Sequence, residues 1–440
     1  VFVIVQTMPD FTLTAQDLAR LRESADTPQV RMATNAVTVT DVDEVALNRR
    51  AVVALHPVTE AKLDSLKVTD QKQSGRCWMF AALNVFRHRI ARDMGVRDFE
   101  FSEAYLQFYD LLGKAEVFLD AIEEHLGDLD DRRAHALLSA PVGDGGEWNY
   151  AVHLIERYGA VPKYAMPETQ SSSHTVHLRR DLNTVLRRGV ARLRQGVTTK
   201  EEVLRAAHRV LVIHLGVPPE SFVWQYRDKE GEFHREGELT PVEFARRYLP
   251  GDLGEYVVLG HDPRPQRRVG RRYAIDTQTS VPGTEPFTYL NVEMADLTRA
   301  ARDSVAAGEP VWFACDVNRQ FHRDMGVWDE GLLERDALYG VDTATTKAQR
   351  METFESVLTH AMVLSGYDAA PARWRVENSW GEKKQSAKNE AADKGYATMS
   401  QEWFEQNAFA VAVHRRHVLP HLRAALDEEP TLLPLWDAMA

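Results

Sequence analysis

The alternation of apolar and polar positions divides the chain into a helical part, a mixed middle and a sheet-rich part. Residues 78–86 are almost wholly apolar, so a helix over 77–95 is expected to be buried nearly all round, with Ser74-Gly75 leading into it. Helical patterning also covers 15–24, inside an otherwise polar N-terminal stretch, and 103–112, 150–158, 178–194, 200–215 and 241–248. Gly143-Asp144-Gly145-Gly146 must be a loop, and Pro162 and Pro167 mark an extended exit. Residues 222–233 read as a hairpin turning near Lys229-Glu230-Gly231, and 255–292 as strands with turns. From Val311 onward strands dominate, at 311–317, 361–367, 374–378, 396–400 and 408–414. The Leu- and Pro-rich tail, 418–440, reads as an arm.

A length of 440 residues exceeds one ordinary core and suggests two or three core units. With 44% hydrophobic and 27% charged residues the composition is that of a globular protein. No apolar run reaches the roughly 18 residues a membrane span needs. The apolar opening, residues 1–5, is too short for a signal-peptide core and lacks a basic flank. The net charge of −12 argues against nonspecific nucleic-acid binding, which needs a positive field. One stretch dissents: Arg264, Arg267, Arg268, Arg271 and Arg272 crowd together. They read as a solvated loop or strand edge, or alternatively as a basic patch facing an acidic partner.

Two cysteines in so long a chain make no disulfide framework, which places the protein in the reducing cytoplasm. Cys315 lies in the apolar run Val311-Trp312-Phe313-Ala314-Cys315 and reads as inert core. Cys77 opens the buried helix. There the helix dipole and the unpaired backbone N–H groups favour thiolate, the nucleophilic form. No H-E-x-x-H or paired Cys-x-x-Cys occurs, so neither a metal nor another cofactor is expected.

The run Gln71-Lys72-Gln73-Ser74-Gly75-Arg76-Cys77-Trp78 matches the papain-type signature around a catalytic cysteine. It resembles most closely the bleomycin hydrolase and aminopeptidase C branch, with Ser74 where secreted papains carry a disulfide cysteine. Leu358-Thr359-His360-Ala361-Met362 resembles the family's histidine segment, and Arg375-Val376-Glu377-Asn378-Ser379-Trp380-Gly381 its asparagine segment. Taken singly, His360 would pass as a core histidine and Asn378 as a turn cap; the ordered set carries the resemblance. It implies Cys77 as nucleophile, His360 as its base and Asn378 as the group fixing the imidazole, with Trp380 covering that contact and Trp78 supporting the site. Gln71 and the Cys77 N–H would form the oxyanion hole, where one donor is typically worth about 100–1000-fold in rate. Asp144-Gly145-Gly146-Glu147-Trp148 resembles the substrate-cleft loop, where Gly145 and Gly146 let a peptide backbone approach.

The resemblance implies an α+β, papain-like fold of two lobes. Its parts are an N-terminal extension (1–65), a helical left domain with the nucleophile (66–170) and an inserted, mostly helical domain (171–292). A barrel-like right domain with His360 and Asn378 (293–417) and a C-terminal arm reaching the cleft (418–440) complete it. It further implies a homohexamer around a cavity, peptide substrates, and an aminopeptidase whose arm ends at the substrate amine, here at Ala440. The tail is about three residues shorter than the family's, a span of about 10 Å when extended. An endopeptidase with a shortened arm is therefore the alternative. A nucleic-acid-binding homologue and an acyl-transferring or deamidating enzyme on the same fold are the remaining rivals.

Overall fold

In the computed structural model, residues 13–96 and 98–440 are described; the opening stretch read as too short for a signal peptide lies outside them. The central helix, Cys77–Met94, buries twelve of its side chains from Trp78 to Ala91 and stops at Gly95, which takes the left-handed conformation. The expectation that Ser74-Gly75 would cap it is corrected. Arg76 occupies the N-cap and gives no side-chain cap, while Ser74 Oγ donates 2.7 Å to the Gln71 carbonyl.

The next helix, Glu103–Glu123, is capped by Ser102, which accepts from the Tyr105 N–H, and it runs well past the expected end at 112. Gly113 is a packing position and not a breaker: a Cβ there would lie 1.8 Å from the Ser280 carbonyl oxygen. Trp148–Tyr158, Val176–Arg194, Lys200–Leu215 and Pro241–Tyr248 follow the expected pattern. Pro28–Val37, Arg132–Ser139 and Met294–Ala306 were not anticipated.

Among the described residues fourteen strands are numbered in chain order: β1 (Ala61–Lys62), β2 (Phe222–Arg227), β3 (Phe233–Leu239), β4 (Tyr256–Gly260), β5 (Arg271–Ile275), β6 (Thr288–Asn291) and β7 (Val311–Cys315). They continue as β8 (Phe321–His322), β9 (Val327–Trp328), β10 (His360–Ala369), β11 (Ala372–Glu377), β12 (Tyr396–Ser400), β13 (Ala408–His414) and β14 (Thr431–Leu433). Strands β2 and β3 form a separate hairpin. The others form one sheet in the order β14-β5-β6-β4-β13-β7-β10-β11-β12-β9-β8, with β1 added to β10. Strands β4, β5 and β6, grouped by sequence with the helical insertion, thus hydrogen-bond into the right-hand sheet through β4 and β13. Their apolar inward faces, such as Val258, Leu259 and Leu290, explain why they join it.

One core surrounds the helices from Cys77 to Leu215, and a second lies between the sheet and the helices Met294–Ala306 and Gln401–Asn407. The two are fastened at the central helix. Trp312 Nε1 on β7 donates 3.1 Å to the Trp78 carbonyl. Glu377, at the end of β11, takes Arg87 on one carboxylate oxygen and His88, at 2.9 Å, on the other.

Candidate active site

The seam between helix and sheet opens into a cavity of about 840 Å³ lined by Gln71, Cys77, Gly145, Gly146, His360 and Ala440, among others. The central helix delivers Cys77 at its first position, partly exposed to the cavity. The backbone N–H groups of Ala361, Trp78 and Cys77 itself point at the sulfur. Ala361 follows His360 at the start of β10, so one strand end brings both an amide donor and the imidazole to the nucleophile.

His360 is buried, and its Nε2 lies 2.9 Å from Asn378 Oδ1. The Asn378 amide is itself oriented: its Nδ2 donates 2.6 Å to Gln385 Oε1, and its Oδ1 also accepts the Ser379 N–H at 2.8 Å. Oδ1 is therefore an acceptor, Nε2 carries hydrogen, and Nδ1 is the nitrogen left for the sulfur. The Trp380 ring lies 5.0 Å from the imidazole, centre to centre, and the Arg323 guanidinium stands over that indole, 4.8 Å from its centre.

The electrostatics correct one expectation. The helix-end N–H groups do favour thiolate, but burial outweighs them and pushes the Cys77 thiol up to about 11. Burial likewise pushes His360 down to about 4, against the Asn378 hydrogen bond that favours its charged form. Neither group is held charged by its surroundings alone. Glu147 would oppose the thiolate if ionised, but its own burial, only partly offset by Lys114, pushes it up to about 8. At neutral pH it is mostly protonated and spares the sulfur that repulsion.

The loop 143–146 is built on the same helix. Trp78 Nε1 donates 2.8 Å to the Asp144 carbonyl, and Trp78 packs edge-on against Tyr150 with ring centres 5.6 Å apart. Gly146 is pressed onto both rings: a Cβ there would fall 2.6 Å from Trp78. At Gly145 no atom stands within 4 Å of such a Cβ, so its backbone is open on that side.

The peptidase C1-like family model matches residues 12–440. This chain belongs to that family. The peptidase is 40% identical over 403 residues to aminopeptidase C of Listeria monocytogenes, covering 89% of this chain and 90% of that one. It is 34% identical over 436 residues to bleomycin hydrolase of Homo sapiens, covering 94% of each. The solved structure of PepW from Lactobacillus rhamnosis HN001 superposes with a TM-score of 0.93 at 34% identity, over 98% of this chain and 99% of that one. The fold is accordingly papain-like, α+β, in the branch that the sequence motifs resemble.

Within the peptidase, the cavity gathers most of the groups anticipated from sequence, and Asn378 stands behind His360. Gln71 is also in place, with its Nε2 donating 2.7 Å to the Ser74 carbonyl and its second amide hydrogen uncommitted to that bond. Three contributors escaped sequence reasoning. Gln385 lies in a polar loop without a recognisable signal. Glu147 stood inside the glycine-loop motif but was given no role. Lys114 donates to Asp110 Oδ2 (2.8 Å), the Gly143 carbonyl (3.2 Å) and the Gly145 carbonyl (2.6 Å), pinning the glycine loop from below. Cys315 is fully buried, opposite His360 in the β7–β10 register. Among the described residues no His, Cys, Asp and Glu group has metal-ligand geometry, and no helix is long and apolar enough to cross a membrane.

Proposed function

We infer that this protein is a cysteine aminopeptidase of the bleomycin hydrolase type. The observation that carries this is the oriented chain from Gln385 through Asn378 to His360, opening on the same cavity as the helix-end cysteine. The Cys77 sulfur attacks the scissile carbonyl carbon while its proton passes to His360 Nδ1. The oxyanion is held by the Cys77 N–H and the free amide hydrogen of Gln71. Collapse expels the amine, which takes the proton from His360, and leaves an acyl-enzyme. Water, deprotonated by His360, then releases the acid and restores the thiol.

The C-terminal arm sets which bond is cut. Leu435, Trp436 and Ala440 line the cavity, so the arm occupies ground that a longer peptide would need. Ala440, which lines the cavity, is assigned the role of meeting the substrate amine. Free cysteines fit a cytoplasmic enzyme. Helices Ala15–Ala25 and Pro28–Val37 bury no side chain of their own and expose Leu18, Leu21 and Met32, which supports assembly with further copies as a homohexamer.

The test is labelling with an epoxide inhibitor of papain-type enzymes. The expected result is one adduct, on Cys77, lost together with hydrolysis of aminoacyl amides in Cys77→Ala. An adduct on Cys315, or full turnover by Cys77→Ala, overturns the assignment.

A further inference from the structure

The arginine-rich stretch plays no part in the chemistry above, yet its first two members turn inward. Arg264 Nη2 lies 2.7 Å from Asp262 Oδ2 and 2.6 Å from Asp437 Oδ1, and Arg267 Nη2 lies 2.6 Å from Asp437 Oδ2. The Asp262 and Asp437 side chains are 0% and 4% exposed, and those of Arg264 and Arg267 7% and 14%. Two cations and two anions thus close on each other out of water. The receptor half is preorganised without the arm. Arg264 Nε bonds Asp262 Oδ1 at 2.9 Å, and the Asp262 N–H bonds Asn291 Oδ1 at 2.8 Å. Two more arginines grip the approach to the arm. Arg271 bonds Thr431 Oγ1 at 3.1 Å, and Arg272 bonds the Glu428 carbonyl at 2.8 Å.

On the arm, Asp437 organises the turn that ends the chain. Its Oδ1 accepts the Met439 N–H at 3.0 Å and its carbonyl accepts the Ala440 N–H at 2.9 Å. Ala438 and Met439 are buried, while Ala440 lines the cavity. Before it, β14 runs parallel to β5. The arm is therefore held at a strand, then at one carboxylate, with only a short turn left to reach the cleft.

We propose that the arginine stretch is a receptor for the chain's own C-terminal arm, and that Asp437 is the positioning residue that fixes how far the arm enters the cleft and hence the preference for substrates with a free amine. This rests on the reading that the arm sets the cleavage point. A buried ion pair suits the task. Its geometry is specific, and losing one partner leaves the other charges unpaired in a dry site.

The experiment compares kcat/KM for an aminoacyl-peptide with that for the same peptide N-acetylated, in wild type, in a truncation after Pro434, in Asp437→Asn, in Asp437→Glu and in Arg267→Met. Epoxide titration of Cys77 counts intact sites in each. Asp437→Asn is expected to lower the free-amine preference by about tenfold or more, towards the truncated enzyme, because two buried arginines then lose their anionic partner. Asp437→Glu retains the preference, and Arg267→Met, which removes one of the two arginines, falls between. If truncation collapses the preference and Asp437→Asn leaves it intact, the clamp is wrong while the arm reading stands. An equal loss on both substrates in Asp437→Asn marks a merely structural role and also overturns the clamp. If truncation itself changes nothing, the arm reading falls and the clamp with it.

Discussion

Removing Arg87 should make the protein both less stable at neutral pH and less sensitive to acid. Glu377 is fully buried, which by itself would raise its carboxyl, but the Arg87 guanidinium and His88 overcome that and hold it down to about 2. Its ordinary value is 4.5. The group thus binds its proton more weakly in the folded chain than in the unfolded one. That stabilisation is complete above the unfolded value and is lost as pH falls from about 5 towards 2. The gap corresponds to about 3 kcal/mol. Arg87→Met keeps the buried volume but leaves Glu377 with only His88 and a long contact from the Tyr396 hydroxyl, so about 3–5 kcal/mol should be lost at pH 7, as for other broken buried pairs. The assay is urea unfolding followed by tryptophan emission at several pH values between 7 and 3. Other salt-bridged carboxylates contribute to the acid slope in both proteins, so the difference between the two slopes isolates this one. Wild type should lose about 2 kcal/mol more than the variant over that range, the remainder falling below pH 3. Parallel slopes, or an Arg87→Met variant as stable as wild type at pH 7, would refute the reasoning.

Lys114→Met removes two hydrogen bonds from the glycine loop and leaves the buried Asp110 without its cation; KM should rise about 10- to 100-fold with kcat little changed, the worth of one charged hydrogen bond. Steady-state kinetics check this, and an unchanged KM shows the loop is held by other means. Gly146→Ala drives a methyl onto Trp78 and Tyr150 and should cost about 1–3 kcal/mol in denaturant unfolding, with a raised KM as the loop moves away. His360→Ala removes the imidazole proposed to take the thiol proton. The thiolate fraction should then grow only as pH climbs towards about 11, read as iodoacetamide alkylation of Cys77. Alkylation with the wild-type pH profile in that variant contradicts the role of His360 as the base for Cys77.

The parts legible in the sequence are those whose signal is local. The apolar run after Cys77 specified a helix buried all round, and Lys200–Leu215 and Tyr396–Ser400 were readable to the residue because caps and alternation agree there. What escaped depends on partners distant in the chain. The helical pattern at 103–112 runs on through Gly113, which is a notch for the Ser280 carbonyl. The strands at 256–291 follow helices in sequence, yet β4 finds its partner in β13, roughly 150 residues on. The helix-end cysteine invited the inference of a stable thiolate, whereas burial, which no motif encodes, turned out to be the larger effect. The arginine cluster was visible as charge, but its acidic partner turned out to be the chain's own Asp437.

The indole that shields the imidazole also makes the site observable. Protonated imidazole quenches tryptophan emission and neutral imidazole does so weakly, and the Trp380 ring stands 5.0 Å from that of His360. The brightness lost on replacing Trp380 by Phe is therefore an optical gauge of the proton on His360. It is carried by the protein itself, needs no label, and can be followed while substrate is bound and turned over.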